Sequence, residues 1–253
     1  GFRMDRIYSQ MGYAFAKHIF GIKGSYAVDP QKGAVVMTLT TQGDAPIHYT
    51  LDGSEPTAAS PRYTGPVEIG KSARFRATAL REGGENASYS REFAFSKSTG
   101  RPAVLNTKPN DSYTFEGASL LVDGYHSRPV FTSGAWLGYL DEPLDVTIDM
   151  GGEQSYRSVE LETLAEKGDW IFPPSSVTVW VSDNGTDFTE VASVTVPEAK
   201  AGDADGIGRY RMQFPETSAR YLKVVAQNAA AIPAWHPGAG SKGFLFVDEI
   251  VVE

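Results

Sequence analysis

Between residues 34 and 252 the apolar side chains recur with a period of two in short segments, a pattern that confines most of the chain to antiparallel β structure. In 143–150, Leu144, Val146, Ile148 and Met150 take one face while Asp145, Thr147 and Asp149 take the other. In 46–51, Ile47, Tyr49 and Leu51 oppose His48 and Thr50. Turn-forming clusters separate such segments, among them Gln42-Gly43-Asp44, Asp52-Gly53-Ser54, Thr64-Gly65-Pro66 and Glu82-Gly83-Gly84. Strands are predicted near 34–40, 46–51, 73–80 and 87–95, and again near 143–150, 156–164, 175–182, 187–196, 207–214, 219–226 and 244–252.

Two groups of strands imply two domains. The first reads as a small immunoglobulin-like or fibronectin-III-like sandwich and the second as a larger jelly-roll β-sandwich, so the predicted fold class is all-β. Residues 96–112 are polar and rich in structure breakers, which suits a linker and a domain start. One amphipathic helix is predicted over 4–20, where Ile7, Met11, Ala14, Phe15, Ile19 and Phe20 form a stripe and Gly21 and Gly24 end it. The expected boundaries are a helical segment at 2–24, the small sandwich at 25–97, a linker at 98–112 and the second sandwich at 113–253. A start at Gly1-Phe2 rather than methionine is expected of a piece cut from a longer protein.

Composition removes several functions. The 253 residues contain no cysteine, which excludes disulfides, thiolate metal sites and cysteine nucleophiles. A formal net charge of -8 argues against a sequence-independent nucleic-acid binder, whose affinity rests on cationic side chains displacing counterions. No run approaches the roughly 20 apolar residues of a membrane-spanning helix, and residues 1–20 do not show the charged-then-apolar pattern of a signal peptide.

The search for catalytic groups ends at Asp248-Glu249, adjacent carboxylates of the kind glycoside chemistry employs. A regular strand over 244–252 would put Asp248 with Phe246, Ile250 and Val252, and Glu249 on the opposite face with Leu245, Val247 and Val251. Groups so separated cannot flank one bond. His18, His48, His126 and His236 lack metal-ligand spacing, and no nucleophile elbow, phosphate loop or dinucleotide fingerprint occurs. The remaining signal is aromatic. Trp136, Trp170 and Trp235 fall in predicted loops with Tyr139, Phe172 and His236 nearby, whereas Trp180 sits mid-strand. If strands alternate in direction, the loops before 143–150, 175–182, 207–214 and 244–252 emerge at one end, bringing Trp136, Trp170, the acidic stretch 203–205 and Trp235-His236 together. Such rings either grip the apolar face of a sugar or pack as a satellite core or interface.

Ile47-His48-Tyr49-Thr50-Leu51-Asp52-Gly53-Ser54-Glu55-Pro56-Thr57, with Ser60 to Val67, resembles the C-terminal domain of chitobiase and β-hexosaminidases. The region from about 115 to 253 resembles the discoidin, or coagulation factor V/VIII type C, fold used by family 32 carbohydrate-binding modules, through Val122-Asp123-Gly124, Val146 to Gly151, Val179 to Phe188, Ala219 to Val224 and Asp248-Glu249-Ile250. Together, with Gly134 to Gly138, Asp169 to Pro173 and Pro233 to His236, the order resembles the tail of a bacterial family 20 β-N-acetylhexosaminidase. The family's His-x-Gly-Gly-Asp-Glu catalytic motif is absent.

The resemblance implies a non-catalytic accessory fragment of a glycoside hydrolase, periplasmic, cell-surface or secreted. Its partners would be the catalytic domain of the same polypeptide and an N-acetylhexosamine or galactose-type glycan held through Trp136, Tyr139, Trp170, Trp235 and His236. No cofactor is required for binding, but discoidin-type modules commonly hold a structural calcium, here through Asp123 and Glu249. Tyr125 and Arg128 stand where the family tends to carry asparagine and threonine. The alternative is a structural spacer, in which the aromatic loops are covered by the catalytic domain and no sugar binds.

Overall fold

The computed structural model describes residues 21–41, 45–80 and 87–253. The helix expected within 2–24 lies almost wholly outside the described residues, as do the turns at 42–44 and 82–84. At Lys23 and Gly24, which the expectation gave to that segment, the chain has already entered β1 (Lys23–Asp29).

The described residues form two compact units, one of 21–26, 36–69 and 73–92, the other of 27–35, 70–72 and 93–253. β1, β2 (Ala34–Thr40) and β4 (Val67–Ile69) make one three-stranded sheet, in the order β1-β2-β4. A second is made by β3 (Ile47–Thr50), β5 (Ala73–Ala79) and β6 (Ala87–Phe93), in the order β3-β5-β6. Alternation along these strands buries Met37, Leu39, Val67 and Ile69 from the first and Ile47, Phe75, Ala77 and Ala79 from the second. Tyr49 stacks on Phe75 with ring centroids 5.7 Å apart. The Asp52-Gly53-Ser54 turn is closed by Asp52, which accepts from Ser54 N (3.0 Å) and Ser54 Oγ (2.6 Å), while Gly53 takes φ +84°.

The second unit is built on two 22-residue strands, β9 (Leu144–Ala165) and β12 (Gly206–Gln227), paired antiparallel along their length. The sequence pattern gave each of them as two strands, 143–150 with 156–164 and 207–214 with 219–226. The ladder instead continues through irregularities between Gln213 and Thr217 and between Ala219 and Tyr221, opposite Gly151 in its left-handed conformation (φ +79°). Backbone pairing is retained while the strands change layer. One layer contains β7 (Ala103–Leu105), the first half of β9, the second half of β12, β10 (Ser176–Ser182) and β11 (Thr189–Thr195). The other contains the first half of β12, the second half of β9, β13 (Leu245–Val252) and β8 (Leu137–Tyr139). Leu144, Val146, Ile148, Leu161, Val177, Val179, Leu222, Val224, Leu245, Val247 and Ile250 fill the common core.

Two expectations change here. Residues 98–112 are not an open linker: β7 pairs with β9, and buried Ser98 donates its hydroxyl to Ile250 O (2.5 Å). The breaker-rich composition disguised a three-residue edge strand. β13 also departs from regular alternation, because a register shift between Val247 and Ile250 places Ile250 and Val252 in the same core as Leu245 and Val247. Asp248 and Glu249 occupy the bulge.

Candidate functional site

β9 ends at Ala165 beside the start of β12 (Gly206↔Ala165) and next to Phe246 of β13 (Phe246↔Leu164). The ten residues that follow lead to β10, whose first residue pairs with Gln227 at the end of β12. The loops at 166–175, 196–205 and 228–244 therefore emerge at one end of the sandwich. Of the four segments expected to meet there, those with Trp170, the acidic stretch 203–205 and Trp235-His236 do so, whereas Trp136 lies buried outside the surface they form.

Hydrogen bonds tie these loops together. Lys167, buried despite its charge, donates Nζ to Asp203 O (2.9 Å) and pairs with Asp205, whose carboxyl that contact holds below its ordinary range. Trp235 Nε1 donates to Ala199 O (2.9 Å). Gly238 N donates to His236 Nδ1 (3.0 Å), which leaves Nε2 to carry the ring proton and donate to Lys167 O (2.9 Å). Replacing Lys167 by methionine is expected to return the Asp205 carboxyl toward its ordinary range and to cost about 1 kcal/mol, since Asp205 is half exposed; NMR titration and denaturant unfolding of the variant measure both.

Around His236 stand three aromatic rings, Trp170 at 6.1 Å, Trp235 at 5.5 Å and Phe172 at 5.5 Å between centroids, each nearly perpendicular to the imidazole. Trp170 is 43% and Trp235 40% exposed, while His236 is buried between them. Trp170 holds φ +64° at the end of the 3-10 turn Lys167–Asp169, a conformation uncommon for a bulky residue. Its ring lies over Gly238, where a Cβ would come within 2.8 Å of the indole, so only glycine permits the approach. Glu166, Asp169, Asp203 and Asp205 surround this end, and burial, then the neighbouring Asp169 and Asp205, raises the Glu166 carboxyl above its usual range.

Trp136 and Tyr139 do not belong to this surface. Trp136 is wholly buried, packs with Leu164, Ile171 and Phe246, and donates Nε1 to Arg128 O (2.9 Å). Tyr139 lies in β8 within the main core, its phenol pushed well up by burial. Both were expected in the glycan site, but a large aromatic just before or at the start of a strand gives the same sequence pattern whether it faces solvent or core. Trp136 instead supports the 170–172 ribbon from beneath. Lys167 and Gly238 escaped the sequence reading, since neither belongs to a recognisable motif.

The carboxylate pair lies elsewhere. Asp248 Oδ2 accepts from Ser127 N (2.7 Å) and Glu249 Oε2 from Gly124 N (3.2 Å), so the bulge aims both side chains at the 123–127 loop rather than at opposite faces. Both are buried and closed to a substrate. Burial, followed by the charges of Asp123 and Asp248, raises Glu249 well above the carboxylate range, and burial does the same for Asp248. Glu249 Oε1 and Asp248 Oδ1 have no hydrogen-bond partner, an arrangement that fits a bound hard cation. Among the described residues no group of three or more His, Cys, Asp or Glu side chains gathers to hold a metal, so backbone carbonyls and water would complete the shell.

Residues 106–242 match the family model of the F5/8 type C domain, which takes in more than half of the chain. The chain belongs to the F5/8 type C domain family. In this F5/8 type C protein, residues 26–91 match the chitobiase/beta-hexosaminidase C-terminal domain as well. Both are accessory, non-catalytic domain types. Chitosan-binding module 1 of a chitosanase/glucanase from Paenibacillus sp. IK-5 is similar at 18% identity and a TM-score of 0.41, over 62% of this chain and 98% of that one. CpGH89CBM32-5 from Clostridium perfringens, solved with GalNAc-β-1,3-galactose, is similar at 16% identity and a TM-score of 0.41, over 60% of this chain and 94% of that one. No curated protein sequence matches the chain.

Proposed function

We propose that the F5/8 type C domain is a glycan-binding module that serves a glycoside hydrolase, a β-N-acetylhexosaminidase, without catalysing hydrolysis itself. The observation that carries the reading is the pair of half-exposed indoles, Trp170 and Trp235, held on either side of a buried and hydrogen-bonded His236. Aromatic faces so fixed bury the C–H face of a pyranose at little entropic cost. Lys167, the cation beside the indoles, is buried and paired with Asp205, which suits a neutral sugar of the N-acetylhexosamine or galactose type. Calcium held by Asp123 and Glu249 would brace the 123–127 loop, supplying charge neutralisation and no chemistry.

The test is calorimetric titration with methyl glycosides of galactose, N-acetylglucosamine and N-acetylgalactosamine. Saturable binding of at least one at millimolar concentration or below is the expected result; heats indistinguishable from dilution for all three would end the proposal.

A separate observation favours a second role, packing against the catalytic domain. Phe115 and Val130 are about half exposed, and Tyr113, whose ring lies 6.4 Å from that of Phe115 and 6.2 Å from that of Phe131, joins them in an apolar patch. A hydrolase whose stability survives deletion of this region would count against that role.

A further inference from the structure

Beside Trp235 the same loops form a half-open cavity of about 330 Å³, bordered by Phe172, Pro173, Val196, Pro197, Ala231 and Pro233 among others. Its size falls within the roughly 300 to 1,000 Å³ of small-molecule sites. The walls are short side chains on stiff backbone, and they are bonded to one another: Val196 N donates to Ser175 O (2.8 Å), Ser175 N to Gln227 O (2.8 Å), and Trp235 to Ala199 O. The cavity is thus formed before any ligand arrives.

Its hydrogen-bonding inventory decides the occupant. Only two of the lining side chains are polar, Ser175 and Glu198. The Ser175 hydroxyl is already committed to Asn228 O (2.9 Å), with Gln227 O beyond it at 3.4 Å, and Glu198 is exposed at the rim. The lining is mostly apolar, so a second pyranose placed here would set most of its hydroxyl groups against alanine, proline and phenylalanine, at about 1 to 3 kcal/mol for each that neither backbone nor solvent satisfies. An anionic group would meet the Glu198 carboxylate. What remains is an uncharged apolar substituent. Phe172 and Ala234 border both the cavity and Trp235, so a sugar on the indoles and an apolar group in the cavity belong to one molecule.

We propose that this cavity takes the alkyl chain of a glycolipid whose sugar is held by Trp170 and Trp235. The inference rests on the glycan-binding reading and names its ligand class more narrowly.

Titrations with the methyl, butyl and octyl β-glycosides of the sugar that binds, each below its micelle concentration, test it. Burial of methylenes in the cavity should raise affinity at least about 10-fold from methyl to octyl. Ala231→Phe, which fills the cavity, should remove that gain while the methyl glycoside binds as before. Equal affinity across the series, or a gain that persists in Ala231→Phe, would overturn the proposal. Should that variant fail to fold, the chain-length series on the unmodified protein decides alone. The two readings fail separately. Methyl glycoside binding without chain-length dependence defeats the cavity and keeps the sugar site, whereas octyl glycoside binding unaffected by Trp170→Ala defeats the sugar site.

Discussion

Trp170→Ala should weaken sugar binding by about 30-fold, or about 2 kcal/mol, while leaving the unfolding midpoint nearly unchanged. The indole is 43% exposed and its removal opens no cavity in the core. Its left-handed backbone carries a Cβ in either residue, so the substitution adds no backbone strain. Trp136→Ala should behave oppositely. That ring is wholly buried against Leu164, Ile171 and Phe246, and truncating it leaves a void and removes one of the two hydrogen bonds to the Arg128 carbonyl, at a cost of about 3 to 5 kcal/mol. For a domain of this size the midpoint would fall by about 10 °C. Thermal melts beside titrations separate the two. A Trp136 variant that stays stable yet loses binding would restore that residue to the sugar surface.

Calcium should raise the thermal midpoint by about 5 to 10 °C, and more at pH 8 than at pH 5. At a free concentration 100 times the dissociation constant the stabilisation is about 2.7 kcal/mol. The sign of the pH effect follows from the carboxyls. Folding raises Glu249 and Asp248 above their unfolded values, burial being the main cause for each, so the folded state binds more protons. In chelator, stability is greatest below the usual carboxylate range and falls as pH rises through the window up to the raised values. A cation that requires the ionised carboxylates reverses this loss, so its benefit grows with pH. Glu249→Gln should reduce the pH dependence in chelator to the part due to Asp248 and abolish the response to calcium. Melts that are identical with calcium and with chelator at pH 8 would remove the metal from the proposal.

Much of the fold was legible because burial follows strand alternation. Leu144, Val146, Ile148 and Met150 are buried as their spacing requires, and the strands predicted at 34–40 and 175–182 match β2 and β10 within a residue. What escaped is set by tertiary context. The breaks between the strands predicted at 143–150 and 156–164, and at 207–214 and 219–226, are bridged because bulges keep the backbone paired. The bulge at Asp248-Glu249 inverts the parity on which the carboxylate argument rested. Of the site, two of the three loop tryptophans lie on the surface and the third beneath it, a difference that hydrophobicity alone does not encode.

β9 pairs with three other strands of the second unit, with β12 along its whole length, with β7 at one end and with β13 at the other, and so joins the two layers. Neither layer can open without breaking this strand, so the two layers should unfold as a single cooperative unit. The loops that carry Trp170, Trp235 and the cavity wall hang from the ends of that ladder rather than interrupting it. Their residues are free to vary, and with them the ligand, over a scaffold whose folding does not depend on what they bind.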